Sequence, residues 1–484
     1  MAQVAIVGGG ATGLATAFYL SRYAHYGRHI VKKIILLEGA EDVGGWIQTT
    51  RMPDGAVFEH GPRSLRSVGK SGINTLELAE ALGLEDEILA VRRGHPVMKY
   101  RFIYMNGKRH AVPSNLMSAI LPGPPFNQSL VWTLIKEVLK AGEKGLKDDT
   151  IHNFVSRRLG TNLADYAADP VVRGIFAGDI RELSIKAVAP ELFEFEQKHG
   201  SIIVGGLRRK KEKLELSSDL VKKAMGEKWG IWSLKKGLKQ LAEAMEKDLR
   251  KRNDVEIVTG TKCQGLTFSE GKVKVKTEKK EYTVDHVFST IFAPNTAQLL
   301  PIEHVDLKKK LSKIQAGTVA VVNVEYNGVP MPDPGFGHLI PSKEPEKNLG
   351  VVYDSMGFPG HDRKDKKSQR FTVMLGGAWF NKLFGPPEYA KNAEIEDAAL
   401  TSLRNQLGIM EDPERTILNV QKNCIPQYKL GHTKLCDDIW SYTKENKLPL
   451  SLLGCSYKGV SVNDCIYNAR LEVARVFPDL FRPT

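Results

Sequence analysis

The sequence predicts an α/β fold, and three observations near its start support that prediction. Residues 4–7 form a short apolar run of the kind found in a buried strand. Residues 8–13 follow in the spacing G-x-G-x-x-G and lead into a helical segment at 14–19. A second apolar run at 34–37 completes a strand–helix–strand unit of about 35 residues. Such a unit begins a parallel sheet that is covered by helices.

The rest of the chain alternates between helical and extended patterns. Leu234, Leu238, Leu241 and Met245 recur at helical spacing, so they predict one amphipathic helix. Further helices are predicted at 74–82, 130–139 and 149–159, and a closing helix begins near Asp464. Further strands are predicted at 255–258, 273–275, 284–290, 319–326, 372–375 and 448–453.

The composition excludes several classes of protein. Apolar residues make up 42% and charged residues 26% of the 484 residues, so neither disorder nor a fibrous fold describes the chain. No apolar stretch reaches the roughly 18 residues that a spanning helix requires, and a secretory signal peptide is not expected. The five cysteines are scattered and form no C-x-x-C pair, which predicts neither a disulfide framework nor a zinc site.

The chain is basic, with a formal net charge of +13. Such a charge predicts affinity for anionic surfaces. The charge alone does not show whether the anionic partner is nucleic acid, lipid head groups or an anionic substrate.

The glycine-rich turn predicts a dinucleotide site. Gly8 permits the tight turn, Gly10 lets a pyrophosphate approach the backbone, and Gly13 allows the helix to pack closely on the strand. The helix N-terminus offers N–H donors to the phosphates. Glu38 stands 25 residues after Gly13 and can accept both hydroxyls of an adenosine ribose; the alternative is a solvated strand end. The other residues of the predicted loop are Gly9, Ala11 and Thr12.

Further blocks resemble the flavin-dependent amine oxidase superfamily. They are a double-glycine motif at 41–46, a flavin-facing segment at 58–64, and blocks at 232–241, 284–294 and 453–464. At Asp42 most relatives have Arg, which leaves that local contact open. The resemblance implies further FAD-binding residues, namely Trp46, Gly61, Pro62, Arg63, Ser64, Cys263, Cys455, Val460, Ser461 and Val462. A helix near Asp464 would direct its positive end at the flavin.

The closing segment G-V-x-V-N-D-C-I at 459–466 is similar to the terminal signature of the protoporphyrinogen oxidase family, animal mitochondrial type. Blocks at 176–184, 335–339, 373–377 and 423–428 agree in order. The resemblance implies the six-electron oxidation of protoporphyrinogen IX in three two-electron steps, with hydride passing to FAD and dioxygen becoming hydrogen peroxide. No side-chain acid or base is identified, and no metal is expected.

The same resemblance implies a substrate slot. The substrate is a large apolar tetrapyrrole with two propionates, so it needs an apolar surface with a cation at one end. Arg101 corresponds to the family's propionate-binding Arg, whose planar fork suits a carboxylate; the alternative is a surface arginine beside a strand. The implied slot-lining residues are Gly178, Phe336, Leu339 and Met374.

The implied architecture is a Rossmann-like FAD-binding domain interleaved with a mixed α+β substrate domain and a helical membrane-docking domain. The FAD-binding domain is predicted at 1–90, 229–295 and 446–484. The substrate-binding domain is predicted at 91–112, 200–228 and 296–445, and the membrane-associated domain at 113–199.

The family also implies partners and a location. FAD is expected to bind noncovalently, one per chain, because the attachment cysteine of monoamine oxidases lies in a different motif from Cys455. The expected location is peripheral, on the intermembrane-space side of the mitochondrial inner membrane, with a homodimer, hand-over to ferrochelatase and no nucleic acid partner. Two alternatives stay open: another amine-oxidase-like flavoenzyme, such as a polyamine oxidase or carotenoid desaturase, and a non-catalytic carrier of the GDP-dissociation-inhibitor type.

Overall fold

A computed structural model describes residues 2–23, 31–113, 116–209, 218–331 and 333–478. Strands within these ranges are β1 (Ala2–Val7), β2 (Val31–Leu37), β3 (Thr49–Arg51), β4 (Val57–Glu59), β5 (Leu65–Arg66), β6 (Ile88–Arg92), β7 (Phe102–Met105), β8 (Lys108–Ala111), β9 (Trp229–Leu234), β10 (Val255–Val258), β11 (Cys263–Ser269), β12 (Lys272–Thr277), β13 (Glu281–Val284), β14 (His286–Ser289), β15 (Ala316–Asn327), β16 (Gly337–Leu339), β17 (Asn348–Tyr353), β18 (Ser368–Gly377), β19 (Arg415–Pro426) and β20 (Leu450–Leu452).

The α-helices in the same ranges are α1 (Ala11–Tyr23), α2 (Gly69–Ala81), α3 (Pro96–Lys99), α4 (Leu116–Ile120), α5 (Leu130–Leu139), α6 (Ile151–Leu159), α7 (Thr161–Leu163), α8 (Asp169–Phe176), α9 (Ile185–Val188), α10 (Pro190–His199), α11 (Ile202–Arg208), α12 (Asp219–Gly226), α13 (Lys239–Arg250), α14 (Ala293–Leu299), α15 (Val305–Leu311), α16 (Asp354–Gly357), α17 (Phe380–Phe384), α18 (Asn392–Leu407), α19 (His432–Glu445) and α20 (Val462–Val476).

The predicted strand–helix–strand unit is confirmed and lies at the centre of a five-stranded parallel sheet. The strand order is β10-β2-β1-β14-β20, so strands from the start, middle and end of the sequence lie side by side. Val4 and Ile6 pack on one face against α1, α13 and α20, whereas Ala5 and Val7 pack on the other face. Both faces are apolar because a parallel sheet is buried on both sides.

A seven-stranded sheet, in the order β19-β15-β18-β17-β16-β7-β8, forms the second large layer. Neighbouring strands are antiparallel except β16 and β7, which run parallel. Val373 and Leu375 face α17 and α18, and Met374 between them faces the opposite side, where it packs near Ala177. That opposite side also carries Asn323, whose side chain donates to the backbone oxygen of Glu59 at 3.1 Å. The sheet therefore turns one face towards the flavin-facing segment.

Two element predictions are wrong, and each has a physical reason. Leu234 ends strand β9, and the helix predicted over 234–245 begins only at Lys239. Leu234, Leu238 and Leu241 are all buried in one core, so their apolar spacing reflects burial and not a single helix. The single strand predicted at 284–290 is two strands of different sheets, separated by Asp285. The Asp285 carboxylate accepts the Gln3 N–H at 2.7 Å, which fixes the break.

Helix α5 carries two polar residues on its inner face. Thr133 and Glu137 are its buried positions, and the Glu137 carboxylate pairs with the buried guanidinium of Arg158. The apolar residues face outward, with Trp132 52% and Leu139 79% exposed. This polarity is the reverse of that of a surface helix in water. No helix in the described ranges is both long enough and apolar enough to cross a membrane.

Candidate functional site

The glycine-rich turn lies at the carboxyl edge of the parallel sheet, between β1 and α1. The Gly8 N–H donates to the Leu37 oxygen at 2.8 Å, and Gly8 has a φ of 106°, which favours glycine. A Cβ on Gly13 would clash with the backbone oxygen of Gly8, so only glycine lets α1 pack this closely. The loop lies where β2 and β14 flank β1, which is the switch point at which doubly wound sheets bind ligands.

Glu38 lies beside this loop at the end of β2. Its Oε2 accepts the Gly9 N–H at 2.6 Å, and its Oε1 accepts the Ala40 N–H at 2.8 Å. These two bonds fix the carboxylate next to the turn, since each oxygen accepts one backbone N–H and keeps a further lone pair. Glu38 is therefore a positioned acceptor, rather than a solvated strand end.

The double-glycine motif packs directly on the glycine-rich turn. The Gly44 N–H donates to the Gly9 oxygen at 2.9 Å, and a Cβ on Gly45 would lie 3.2 Å from the Gly10 Cα. Asp42, where relatives carry Arg, forms an ion pair with Lys239 of α13 at 2.9 Å. Trp46 follows the motif and is 40% exposed.

The flavin-facing segment connects this loop to the seven-stranded sheet. Arg63 is buried, and its Nη1 donates to the Asp354 carboxylate at 2.8 Å, whereas its Nη2 is buried and has no partner among the described residues. The Glu59 carboxylate accepts the Leu238 N–H and the Thr49 hydroxyl, each at 2.6 Å. Burial raises the pKa of Glu59 to about 7. Pro62 and Ser64 lie within the same segment, and a Cβ on Gly61 would clash with the Trp46 oxygen.

The closing segment comes back to the glycine-rich turn from the other end of the chain. A Cβ on Gly454 would lie 3.4 Å from the Thr290 oxygen and 3.5 Å from the Thr12 hydroxyl. Ser461 caps α20 by accepting the Asp464 N–H at 3.1 Å, so the helix starts at Val462, two residues before the predicted start. Cys455 and Val460 lie between Gly454 and this cap.

Cys263 begins β11 next to the strand end that carries Glu38. The Thr261 N–H, two residues earlier, donates to the Glu38 oxygen at 2.9 Å. Burial raises the pKa of the Cys263 thiol to about 11, so the side chain is a neutral, weakly polar group. Its place fits packing or backbone contact with a ligand, not a nucleophilic role.

Three of the predicted slot residues meet at the C-terminal end of α8. Met374 packs in the cluster that contains Ala177. Leu339 lies against α8, because a Cβ on Gly174 would come 2.6 Å from its Cδ2. Gly178 is enclosed by Leu183 and Gln427, and a Cβ there would clash with the Gln427 amide oxygen.

The other two predicted slot residues lie near α3. Phe336 packs with Val97 and Phe358 in a separate small cluster. The Arg101 Nη1 donates to the Val97 oxygen at 2.7 Å. Strand β16 spans the distance between Phe336 and Leu339, so this one strand joins the two groups.

Comparisons with known proteins agree over the full length of the chain. Residues 11–477 match the family model described as flavin containing amine oxidoreductase. The chain is 42% identical over 474 residues to the protoporphyrinogen oxidase of Bos taurus and 41% identical to that of Homo sapiens, with 98% of each chain covered. The chain belongs to the protoporphyrinogen oxidase family. It is also 30% identical to the protoporphyrinogen oxidase of Schizosaccharomyces pombe, with 96% of each chain covered.

Solved structures of lower sequence identity show the same fold. A crystal structure from Exiguobacterium sp. 255-15 superposes with a TM-score of 0.77 at 24% identity, over 99% of both chains. Reduced UDP-galactopyranose mutase gives a TM-score of 0.68 at 10% identity over 99% of this chain and 94% of that chain. Cyclohexylamine oxidase from Brevibacterium oxydans gives 0.65 at 14% identity, over 99% of this chain and all of that chain.

Membership of the protoporphyrinogen oxidase family makes the chain a FAD-dependent oxidoreductase, and the site fits that cofactor. A Cβ on Gly10 would meet only the Gly45 Cα, at 3.9 Å, so the turn leaves open the face that a pyrophosphate needs. Arg63 Nη2 and Asn463 Oδ1 are buried polar atoms without partners in the described part of the chain. Such atoms are rare in folded proteins and fit a ligand that completes them. The carrier alternative is not supported.

One polar network on the α18 face of the seven-stranded sheet was not found from the sequence. His338 Nε2 donates to Gln406 Oε1 at 2.8 Å, so its Nδ1 accepts from the Tyr353 hydroxyl, also at 2.8 Å. Arg109 donates to that hydroxyl, and Gln406 donates to the Glu346 carboxylate at 3.0 Å. These bonds fix β16 to β17 and α18, on the face opposite the site. The residues of this network lie far apart in the sequence, so no local pattern predicts their contacts.

We expect acid to destabilise the protein between pH 6.5 and 4. Burial lowers the pKa of His338 from 6.5 to about 4, so the folded state holds this imidazole neutral. In the unfolded chain the imidazole binds a proton first, so stability is present above pH 6.5 and is lost as the pH falls towards 4. A shift of this size corresponds to about 3 kcal/mol. Urea unfolding across this range measures it, and His338→Gln should reduce the dependence but not abolish it, because burial also lowers the pKa of His286 and His361 to about 4; an unchanged slope would contradict the assignment.

Proposed function

We propose that the protein catalyses the oxygen-dependent oxidation of protoporphyrinogen IX to protoporphyrin IX in haem biosynthesis. The observation that carries the proposal is the 42% identity to a protoporphyrinogen oxidase over 98% of both chains. When bound, FAD supplies a two-electron acceptor that dioxygen restores, with hydrogen peroxide as the product. Three such cycles account for six electrons.

The roles of the chain's own residues follow from the site. The glycine-rich turn and Glu38 hold the dinucleotide, and the closing segment directs the N-terminus of α20 towards the flavin side. Phe336, Leu339 and Met374 offer apolar surface on the sheet that faces the flavin-facing segment. We infer that they exclude water and orient the macrocycle, whose aromatisation drives the reaction without a dedicated side-chain base.

A two-stage experiment tests this proposal. Under anaerobic conditions protoporphyrinogen IX should bleach the flavin absorbance of the purified holoprotein, and aeration should restore it with porphyrin fluorescence. Coproporphyrinogen III and a polyamine serve as comparison substrates, since other members of the superfamily act on other reductants. Flavin that stays oxidised with protoporphyrinogen IX, or fluorescence no faster than spontaneous oxidation, would exclude the proposed activity.

Arg101 is proposed to bind a substrate propionate. We expect Arg101→Ala to raise KM by about 10-fold or more, with a smaller change in kcat, because the ion pair forms in the bound substrate as well as in the transition state. The KM of Arg101→Lys should lie between those of the wild type and Arg101→Ala, since Lys keeps the charge but loses the bidentate geometry. Steady-state kinetics measures both constants, and an unchanged KM would refute the role.

We also propose peripheral docking on the intermembrane-space side of the mitochondrial inner membrane, through the helical region at 113–199. Supporting it are the outward apolar face of α5 and further exposed apolar residues of the same region, namely Ile120, Leu121, Val171 and Ile175, together with Leu207 of α11, a helix that contacts α5. Lys136 lies over the Trp132 ring at 5.6 Å, which is a fitting pair for an anionic interface.

Vesicle binding tests the docking surface. In the double variant Trp132→Glu with Leu139→Glu, the fraction of protein that sediments with anionic vesicles should fall by about 10-fold or more. Its flavin content should be unchanged. Met410→Glu is the matched control, because Met410 is 73% exposed but lies after α18, outside the helical region. Equal loss in both variants would contradict the proposed surface.

The domain division, homodimer and hand-over of product to ferrochelatase are proposed on the family resemblance. The interleaving is supported by the parallel sheet, which draws strands from residues 2–37, 255–289 and 450–452. Mass measurement of the detergent-solubilised holoprotein tests the dimer, and transfer of porphyrin to added ferrochelatase tests the hand-over.

A further inference from the structure

Two arginines lie on either side of the short sheet β5-β9-β6, near the flavin-facing segment. Arg66 ends β5 and pairs with Ile231 of β9. The next residue, Ser67, donates its hydroxyl to the Trp229 oxygen at 2.6 Å. Gly230 lies between these two β9 residues, so the backbone that carries Arg66 is fixed directly against it.

Arg101 approaches the same strand from the other side. A Cβ on Gly230 would come 2.6 Å from the Met98 Cε, so α3 packs on this glycine. The Arg101 Nη1 donates to the oxygen of Val97, the residue before Met98. Arg66 and Arg101 are therefore neighbours across β9, although 35 residues separate them in the sequence.

Neither guanidinium has an acidic partner among the described residues. The pKa of Arg101 is lowered by burial and also by the positive charge of Arg66, which shows that the two charges act on each other. By contrast, Arg92 in the same short sheet pairs with Glu227 at 2.9 Å, and Arg63 pairs with Asp354. Both side chains are exposed, so water screens their repulsion, but two neighbouring guanidinium groups without an acidic partner still attract an anion.

The backbone of Arg66 is bonded to the closing segment. The Asn463 side-chain amide, in the first turn of α20, donates to the Arg66 oxygen at 2.9 Å, and Asn463 is buried. The closing segment thus fixes the backbone of Arg66 in relation to the N-terminus of α20.

We propose that Arg66 and Arg101 together form a clamp for one carboxylate of the substrate, with Arg66 contributing from the flavin side. The inference rests on the proposed function for the substrate class, an apolar macrocycle with carboxylate arms. Two guanidinium forks can share the lone pairs of one carboxylate, and charge-assisted bonds of this kind are the strong ones. The clamp assigns Arg66 a role in substrate specificity: it favours free acids over esters.

Direct binding tests the clamp without turnover. The probes are protoporphyrin IX and its dimethyl ester, titrated into holoprotein by porphyrin fluorescence. Arg66→Met should weaken binding of the diacid by about 10-fold and leave binding of the diester within about 2-fold. Arg66→Lys should recover part of the loss. Arg92→Met is the matched control, because it removes a guanidinium that has its own acidic partner, and it should change neither affinity.

The outcomes separate this inference from the proposed function. Equal weakening of diacid and diester in Arg66→Met, or no change in either, overturns the clamp. Wild-type binding that shows no preference for the diacid also overturns it. The protein could fail to oxidise protoporphyrinogen IX and still prefer the diacid, with Arg66→Met removing that preference. This result would exclude the proposed oxidase activity but support the clamp. In Arg66→Met with Arg101→Met, the loss should be smaller than the product of the single losses, because both arginines serve one carboxylate.

Discussion

Replacing Gly10 with valine is expected to give a folded protein that does not bind flavin. Nothing in the described part of the chain opposes a Cβ at this position, since its nearest neighbour would be the Gly45 Cα at 3.9 Å, and Gly10 does not have a positive φ. The side chain instead fills the space through which a pyrophosphate reaches the backbone. We expect an increase in the dissociation constant of FAD of at least about 100-fold, or about 2.7 kcal/mol.

Two comparison variants show whether the loss is specific. Gly94→Val makes the same change where no atom lies within 4 Å of the new Cβ, so flavin content should stay at the wild-type level. Gly13→Ala clashes with the Gly8 oxygen, so it should lower the melting temperature together with flavin content. Colourless protein with a wild-type circular dichroism spectrum supports the assignment of Gly10. A fully flavinated Gly10→Val protein would rule out the turn as the pyrophosphate site.

Arg63→Leu is expected to cost both stability and flavin affinity. The substitution removes the partner of the Asp354 carboxylate, which keeps only the Thr372 hydroxyl at 2.6 Å. Leaving a buried charge unpaired costs about 3–5 kcal/mol. The same substitution removes the buried Nη2, the donor that has no protein partner and fits the cofactor. Urea unfolding and FAD titration measure the two effects separately.

The double variant Arg63→Leu with Asp354→Asn separates pairing from cofactor binding. Neutralising Asp354 removes the unpaired buried charge, so we expect the free energy of unfolding to return most of the way to the wild-type value. Flavin affinity should remain low if Arg63 touches the cofactor. Asp354→Asn alone keeps the guanidinium and should keep the flavin. Recovery of flavin affinity in the double variant would mean that Arg63 acts only through Asp354.

The parts of the site that follow local rules were predictable. Gly8, Gly10 and Gly13 lie in the turn that their spacing predicts, and Glu38 lies beside it, because strand, turn and helix are contiguous in sequence. The residues that complete the site come from distant segments. Arg63 and Asp354 are 291 residues apart, and no periodicity or motif in either segment predicts their ion pair.

Where the prediction failed, tertiary packing outweighed the local pattern. Leu234 and Leu241 are both buried in the core beneath the parallel sheet, although one lies in a strand and the other in a helix. In α5 the sequence predicts the helix but not its orientation, because the buried Arg158 decides which side faces inward. That guanidinium needs Glu137, and the apolar residues are left outside.

The order of strands in the parallel sheet sets the order in which the protein can mature. The pyrophosphate turn between β1 and α1 is synthesised more than 400 residues before β20 and α20, which close the flavin site at residues 450–476. A ribosome-bound chain therefore holds the beginning of the cofactor site long before it holds the end. A chain that stops before residue 450 lacks both β20 and α20, so we expect stable loading with FAD only after these two elements have been synthesised.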